Sequence, residues 1–160
     1  MSLEPDIQLA DELVLDLQGV NLGEEKTVER TWLGNWDLIT EGDTLQIGVQ
    51  PSPQPTSEPG ERRGVTEYWP IDIGIGRRLK EKTRAEVDAL AGVMGKIRER
   101  YAIAEIETDG GMNFVNAGGW DMLARYDPSL LNRQKRQSDG SILYTGNFLS
   151  VIRFNFRRID

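Results

Sequence analysis

The stretch VTEYWPIDIGIGRRL (residues 65–79) runs almost directly into TRAEVDALAGVMGKIRERY (residues 83–101). In the first stretch the apolar residues occupy odd positions, so they share one face of an extended strand. They are Val65, Trp69, Ile71, Ile73 and Ile75. In the second stretch apolar residues recur every three or four positions, as in one stripe along a helix. They are Val87, Leu90, Met94, Ile97 and Tyr101. The sequence therefore predicts a half-buried strand followed by an amphipathic helix.

The start of that helix is marked by Thr83 and Glu86, which have the spacing of a capping box. An earlier helix is predicted over Ile7–Val20, where Ala10, Leu13, Val14 and Leu17 form a second apolar stripe. Two helices are therefore expected, one near each end of the first hundred residues.

Further strands are predicted from alternating apolar residues on either side of this pair. TVERTWL (27–33) and TLQIGVQ (44–50) precede it, and an extended segment covers Ser141–Ile159. In the last segment Phe148, Ile152, Phe154 and Phe156 point one way, so this strand must pair with the central strand or with another chain. Residues 51–64 contain four prolines and no apolar period, which predicts a long loop.

Residues 102–140 read as a variable insert, with a short helix possible over Trp120–Tyr126 and a strand or helical turn elsewhere. Neither a repeat nor a second domain is visible, so we expect one domain over residues 1–160. The predicted fold class is α+β: a mostly antiparallel or mixed β-sheet of about four or more strands, with two main helices packed on one face.

Composition narrows the possible functions. The 160 residues include no cysteine and no histidine, so Ser-His-Asp, Cys-His and Cys/His zinc chemistry cannot be built. Catalysis by carboxylate, lysine or tyrosine side chains stays open, but with these options reduced we predict that the chain is not an enzyme and that it uses no cofactor and no metal. The N-terminus lacks the basic start and apolar middle of a secretory signal, and no apolar run reaches membrane-spanning length.

Charge is distributed unevenly along the chain. Residues 1–60 carry a net charge of −10, whereas residues 61–160 carry +3. A solvated acidic surface would account for this, but so would a subunit whose oppositely charged patches pair head to tail. The overall charge of −7 argues against a sequence-independent nucleic-acid binder.

Several segments resemble parts of known binding motifs but do not match the complete motifs. The GVMGK segment at 92–96 lacks the first glycine and the final Ser or Thr of a phosphate loop, and the helix stripe already explains it. Asp37, Glu41 and Asp43 do not have calcium-loop spacing. For the four tryptophans, at 32, 36, 69 and 120, core burial is favoured over a stacking platform.

The order of these segments resembles the tail terminator (tail completion) proteins of long-tailed bacteriophages and the related minor tail and neck proteins. The resemblance lies in the first helix, in TVERTWLGNWDL leading to TLQIGVQP, and in the long loop. It also lies in YWPIDIGIGRRL running into TRAEVDALAGVMGKIRERY, and in the closing FLSVIRFNFRRI. The insert at 102–140 is longer than the family pattern.

The resemblance implies a structural virion protein, assembled in the bacterial cytoplasm, that caps the head-proximal end of the tail tube. It implies a homo-oligomeric ring, usually a hexamer, that ends tube polymerisation and joins the tail to the neck. Its partners would be itself, the major tail tube protein and a neck or head-completion protein, with DNA passing through the lumen without specific binding.

Candidate partner contacts lie in the Pro-rich loop and at the end of the central strand. They are Pro53, Pro55, Glu58, Arg62, Arg63, Arg77 and Arg78. Two alternatives stay open: a head-completion or neck connector protein of the same virion, and a small bacterial ligand-binding domain or enzyme using Tyr68, Lys80 or a carboxylate pair.

Overall fold

The computed structural model describes residues 4–31, 44–59, 64–129 and 134–159. Within these ranges the chain forms two helices and nine strands. In chain order they are α1 (Pro5–Gly19), β1 (Lys26–Arg30), β2 (Leu45–Pro51), β3 (Thr56–Pro59), β4 (Val65–Arg78), α2 (Arg84–Tyr101), β5 (Glu105–Glu107), β6 (Asn113–Ala124), β7 (Gln134–Arg136), β8 (Ile142–Tyr144) and β9 (Asn147–Arg158).

Seven of the strands form one mixed sheet in the order β1-β2-β4-β9-β6-β5, with β3 beside the outer part of β4. The β1–β2 pair is parallel, and every other neighbouring pair in this sheet is antiparallel. β7 and β8 form a separate two-stranded ribbon. The predicted α+β class with a mixed sheet is confirmed.

The centre of the sheet is the pairing of β4 with β9, which runs from Tyr68 opposite Arg157 to Arg78 opposite Asn147. Of the two partners predicted for the terminal strand, the central strand is the correct one. Ile71 and Ile73 lie opposite Phe154 and Ile152, and all four side chains are fully buried. The predicted apolar face of β4 is therefore the floor of the core.

Both helices pack on this floor. The buried α1 residues Leu9, Leu13 and Leu17 belong to the same apolar cluster as Leu90 and Ile97 of α2. α1 also contacts both β1 and β5, the first and last strands in the sheet order. The sheet therefore curls around α1, and α2 covers the part of the sheet that contains β9.

A polar contact joins the two helices. Arg100 donates two hydrogen bonds, of 2.7 and 2.6 Å, to the carboxylate of Asp16, and the Tyr101 hydroxyl donates a third at 2.5 Å. The Arg100 bonds lower the pKa of Asp16 below its usual value, assisted by Tyr101 and opposed by burial. Burial, together with Asp16, raises the pKa of Tyr101. The three groups hold the end of α2 against α1.

The structure corrects several sequence-based expectations. The predicted loop at 51–64 contains β3, whose four residues pair with the start of β4. The helix considered over Trp120–Tyr126 is instead the end of β6. The extended end at 141–159 is two strands, divided by a turn at Gly146, where φ is +87°.

The tryptophans are less buried than expected. Trp69 is half-buried. Trp120 is 41% exposed, and the Arg98 guanidinium lies 5.2 Å from the centre of its ring. The expectation of core burial is therefore wrong for Trp120. Trp32, Trp36 and the acidic residues Asp37, Glu41 and Asp43 lie outside the described residues.

Candidate interaction surfaces

Arg77, a predicted partner contact, lies inside the fold. It is 5% exposed and donates hydrogen bonds to Glu86 at 2.7 Å and to Glu24 at 2.6 Å. It is on the helix-facing side of β4, since it continues the odd-numbered series of Ile71, Ile73 and Ile75. Its charge is used within the chain, so the prediction that Arg77 contacts a partner is corrected.

Glu86 is the centre of this arrangement, which we call the Glu86 network. Besides Arg77, its carboxylate accepts hydrogen bonds from the backbone N–H groups of Lys80, Glu81 and Lys82 at 2.8–3.0 Å. Its own N–H donates to the Thr83 hydroxyl, which confirms the predicted helix cap. The sequence indicated the helix cap but not the hydrogen bonds between the Glu86 carboxylate and the preceding loop.

Electrostatics explain why a buried carboxylate is tolerated here. Burial alone would raise the pKa of Glu86, but the backbone hydrogen bonds from Lys80 and Lys82 and the charge of Arg77 outweigh it. The pKa of Glu86 is consequently lowered, and the group is ionised at neutral pH. The network fixes the connection between β4 and α2.

The loop held by the Glu86 network carries a cluster of exposed cations. Tyr144 in β8 donates its N–H to the Lys82 carbonyl, which brings the β7–β8 ribbon beside the start of α2. Two cations of β7 thereby join four from the RRLKEKTR segment. We call this set the basic patch: Arg78, Lys80, Lys82, Arg84, Lys135 and Arg136, all exposed.

The predicted contact Arg78 therefore lies in an exposed, positively charged region. Glu81 lies within the same segment and is also exposed, and Asp88 is 3.9 Å from Arg84. The RRLKEK run in the sequence indicated three of the six residues of the basic patch. The sequence did not indicate the two residues of β7, because their position depends on the hydrogen bond between the ribbon and the loop.

The opposite charge is concentrated near β5. Asp109 donates its N–H to the Glu12 carboxylate at 3.2 Å, which joins α1 to the turn after β5. Glu105 and Glu107 on β5 are exposed. We call Glu12, Glu105, Glu107 and Asp109 the acidic strip. Arg157 lies two strands away, opposite Val115, which is itself opposite Glu105.

The location of the acidic strip differs from the charge division seen in the sequence. Three of its four residues come from the half of the chain that is net basic, and only Glu12 comes from the acidic half. Folding, rather than position along the chain, creates the two charged surfaces.

The Pro-rich segment forms an exposed β-ribbon. All four residues of β3 are exposed, and they pair with Val65–Tyr68 at the start of β4. Pro53, Pro55 and Glu58 are exposed, and Glu58 accepts a 3.5 Å hydrogen bond from the Tyr68 hydroxyl. These three predicted contacts therefore lie together at the surface, whereas Arg62 and Arg63 lie outside the described residues.

A surface groove of about 360 Å³ separates α2 from the end of β6. Met94, Met122 and Phe148 line it, together with the charged Arg98 and Arg125. Its size is at the lower end of the range for small-ligand pockets. The sequence contained no signal for this groove, which arises where β6 diverges from the helix.

Within residues 4–31, 44–59, 64–129 and 134–159, no group of three or more acidic side chains is arranged to hold a metal ion. No helix there has both the length and the apolar character needed to cross a membrane.

The sequence was also compared with models of protein families and with curated proteins, and neither comparison gave a match.

Proposed function

We propose that the chain is a structural protein of a long-tailed bacteriophage that forms a ring on the head-proximal end of the tail tube. In this role it ends polymerisation of the tube and provides the surface to which the neck attaches. The proposal starts from the resemblance in segment order, since both helices and the central and closing strands occur in the expected sequence.

The observation that carries the proposal is the exposed ribbon of β3 and the start of β4. A capping subunit needs an element that reaches the open end of the tube, and an exposed two-stranded ribbon suits such a contact. The ribbon is polar, with Glu58 and Glu67 among its residues. Val65, which is 66% exposed, supplies an apolar contact.

The test measures how the protein affects tube length. Tail tube protein from the same virion is polymerised alone and in the presence of the chain, and tube lengths are measured by negative-stain electron microscopy. We expect the parent chain to shorten the length distribution and to be found at one end of each tube. A variant in which Asn-Gly replaces residues 56–66 should leave tube length unaffected.

The shortened variant removes β3, the first two residues of β4 and residues 60–64 between them, and its fold should survive. The buried core of β4 begins at Ile71, beyond the deletion. We expect its melting temperature to stay within about 3 °C of the parent. A variant that still limits tube length would show that the ribbon is not the contact.

Two further outcomes separate the alternatives. Rings that form but never change tube length would favour the neck connector. A chain that stays monomeric with and without tubes would contradict the capping proposal. It would favour the ligand-binding alternative, with the groove beside α2 as the ligand site.

A further inference from the structure

The basic patch and the acidic strip lie at opposite ends of α2. Arg84 is the first residue of this helix, and the acidic strip begins at Glu105, a few residues after the helix ends. An 18-residue helix is about 27 Å long. This separation exceeds the roughly 8 Å screening length at physiological salt, so the two patches cannot neutralise each other within one subunit.

Each patch also carries an exposed isoleucine. Ile142 of β8 lies opposite Arg136 in the ribbon and is 38% exposed. Ile103, between α2 and β5, is 78% exposed. An exposed apolar side chain beside charged groups is typical of a surface that becomes buried against a complementary partner.

Within the acidic strip, the ionised form of Glu12 is disfavoured in the free chain. Burial raises the pKa of Glu12, and the nearby charge of Asp109 raises it further. Cations brought against these carboxylates would relieve that repulsion. A partner with a positive surface would therefore gain more here than at an isolated carboxylate.

We propose that the acidic strip of one copy binds the basic patch of the next copy, with Ile103 and Ile142 buried between them. The proposal rests on the ring assembly of the proposed function and identifies the two surfaces that form it. Because the patches differ and lie apart, the contact is head-to-tail, and repetition of such a contact closes a ring when the rotation permits.

A second copy explains the observations better than a nucleic acid does. A phosphate backbone would use the basic patch but would leave the acidic strip and both isoleucines without a role. Glu81 lies among the cations of the basic patch, and Asp88 lies beside Arg84, within a chain of net charge −7. The self-contact accounts for both patches at once.

The test uses two charge-reversed variants of the full chain. One carries Arg84→Glu and Arg136→Glu, which avoid the residues of the Glu86 network, and Arg136 shares a face of the ribbon with Ile142. The other carries Glu105→Lys and Glu107→Lys. A control carries Glu25→Lys and Glu29→Lys on exposed positions before and within β1, with the same change in net charge as the second variant. Assembly is followed by sedimentation velocity, and folding by circular dichroism.

We expect each reversed variant to need roughly tenfold or more protein to assemble, because like charges then meet at the contact. An equimolar mixture of the two should assemble again, since each supplies the charge that the other lacks. The control should assemble as the parent does. Assembly of the parent should weaken as salt increases. Ile103→Ser, which changes no charge, should also weaken assembly.

Several results would overturn the inference. If the parent forms rings and neither variant weakens them, the acidic strip and the basic patch do not form the contact between subunits, while the capping proposal is unaffected. If both variants fail and their mixture does not recover, the patches do not meet. Rings that persist in the Arg84→Glu, Arg136→Glu variant while it loses affinity for duplex DNA would assign the basic patch to phosphate. A monomeric parent, with or without tubes, contradicts both proposals.

Discussion

At the scale of single residues, Glu86 makes the most consequential contacts. One carboxylate accepts hydrogen bonds from three backbone N–H groups and from Arg77, and its side chain is 4% exposed. Removing one partner of a buried ion pair leaves the other charge uncompensated, which costs more than the pair itself contributes. The connection between β4 and α2 should therefore depend strongly on this residue.

Glu86→Gln should lower the free energy of unfolding by about 3 kcal/mol, because an amide cannot accept from all four donors and leaves Arg77 with Glu24 alone. Urea denaturation measures the change. Asp88→Asn is the matched control two residues along the same helix, where the ion pair with Arg84 is exposed and 3.9 Å long. The control should change stability by less than about 0.5 kcal/mol. Equal effects would contradict the role given to the network.

Gly92 offers a prediction of the opposite sign. It lies inside α2, and a Cβ placed there meets nothing within 4 Å. Gly92→Ala should raise stability by about 0.5–1 kcal/mol, because alanine loses less backbone entropy in a helix. Gly146→Ala, in a turn with φ of +87°, should instead lower stability. Thermal unfolding distinguishes the two, and destabilisation by Gly92→Ala would show that this surface is not open.

At the scale of elements, regular periodicity decided what could be predicted. β4, α2 and β9 each have one continuous apolar face. β4 and α2 were located to within one or two residues, whereas the segment predicted for β9 began at Ser141 instead of Asn147 and included β8. β3 escaped prediction because an exposed ribbon is held by backbone pairing and needs no apolar alternation. β6 escaped because its register with β9 shifts between Asn116 and Trp120 and again between Met122 and Ala124, which disrupts the two-residue period.

The interaction surfaces were less predictable than the elements. Arg77 was predicted at the surface because it is charged, although it continues the odd-numbered inner face of β4. The partners that allow its burial are Glu86, nine residues away, and Glu24, 53 residues away in sequence. The acidic strip joins α1 to β5 across a contact that only the curled sheet creates. Such surfaces depend on long-range packing, which periodicity does not report.

The apolar stripes of the helices allow a direct comparison of two leucines. Leu90 of α2 is fully buried, whereas Leu15 of α1 is 58% exposed. Leu90→Ala should lower the free energy of unfolding by about 2–5 kcal/mol through the lost contacts and the cavity. Leu15→Ala should change it by less than about 0.5 kcal/mol. A loss below that value for Leu90→Ala, measured by chemical denaturation, would show that α2 does not cover the sheet as described.

At the scale of the whole molecule, folding shifts the pKa values of the carboxyl groups in two directions. The pKa values of Glu86 and Asp16 are lowered, by hydrogen bonds that outweigh burial in Glu86 and chiefly by Arg100 in Asp16. The pKa values of Asp6 and Glu12 are raised, chiefly by burial. The first set stabilises the fold when ionised, and the second stabilises it when protonated.

The contribution of Glu86 should therefore depend on pH with a definite sign. Its pKa is lower in the folded chain than the usual 4.5, so its stabilisation is fully present above that value. It is lost as pH falls through the folded-state pKa. The difference in unfolding free energy between the parent and Glu86→Gln should be constant near pH 7 and shrink in acid. Denaturation at several pH values measures it, and a difference that grows in acid would contradict this assignment.

The central position of β9 also governs how the protein is made. Among the described strands β9 is the last in sequence, yet it lies between β4 and β6. Until it is synthesised, Ile71 and Ile73 have no partner strand on that side, and the nascent chain exposes two unpaired strand edges, on β4 and β6. Completion of the sheet therefore requires this segment, and a chain truncated before Asn147 should be insoluble.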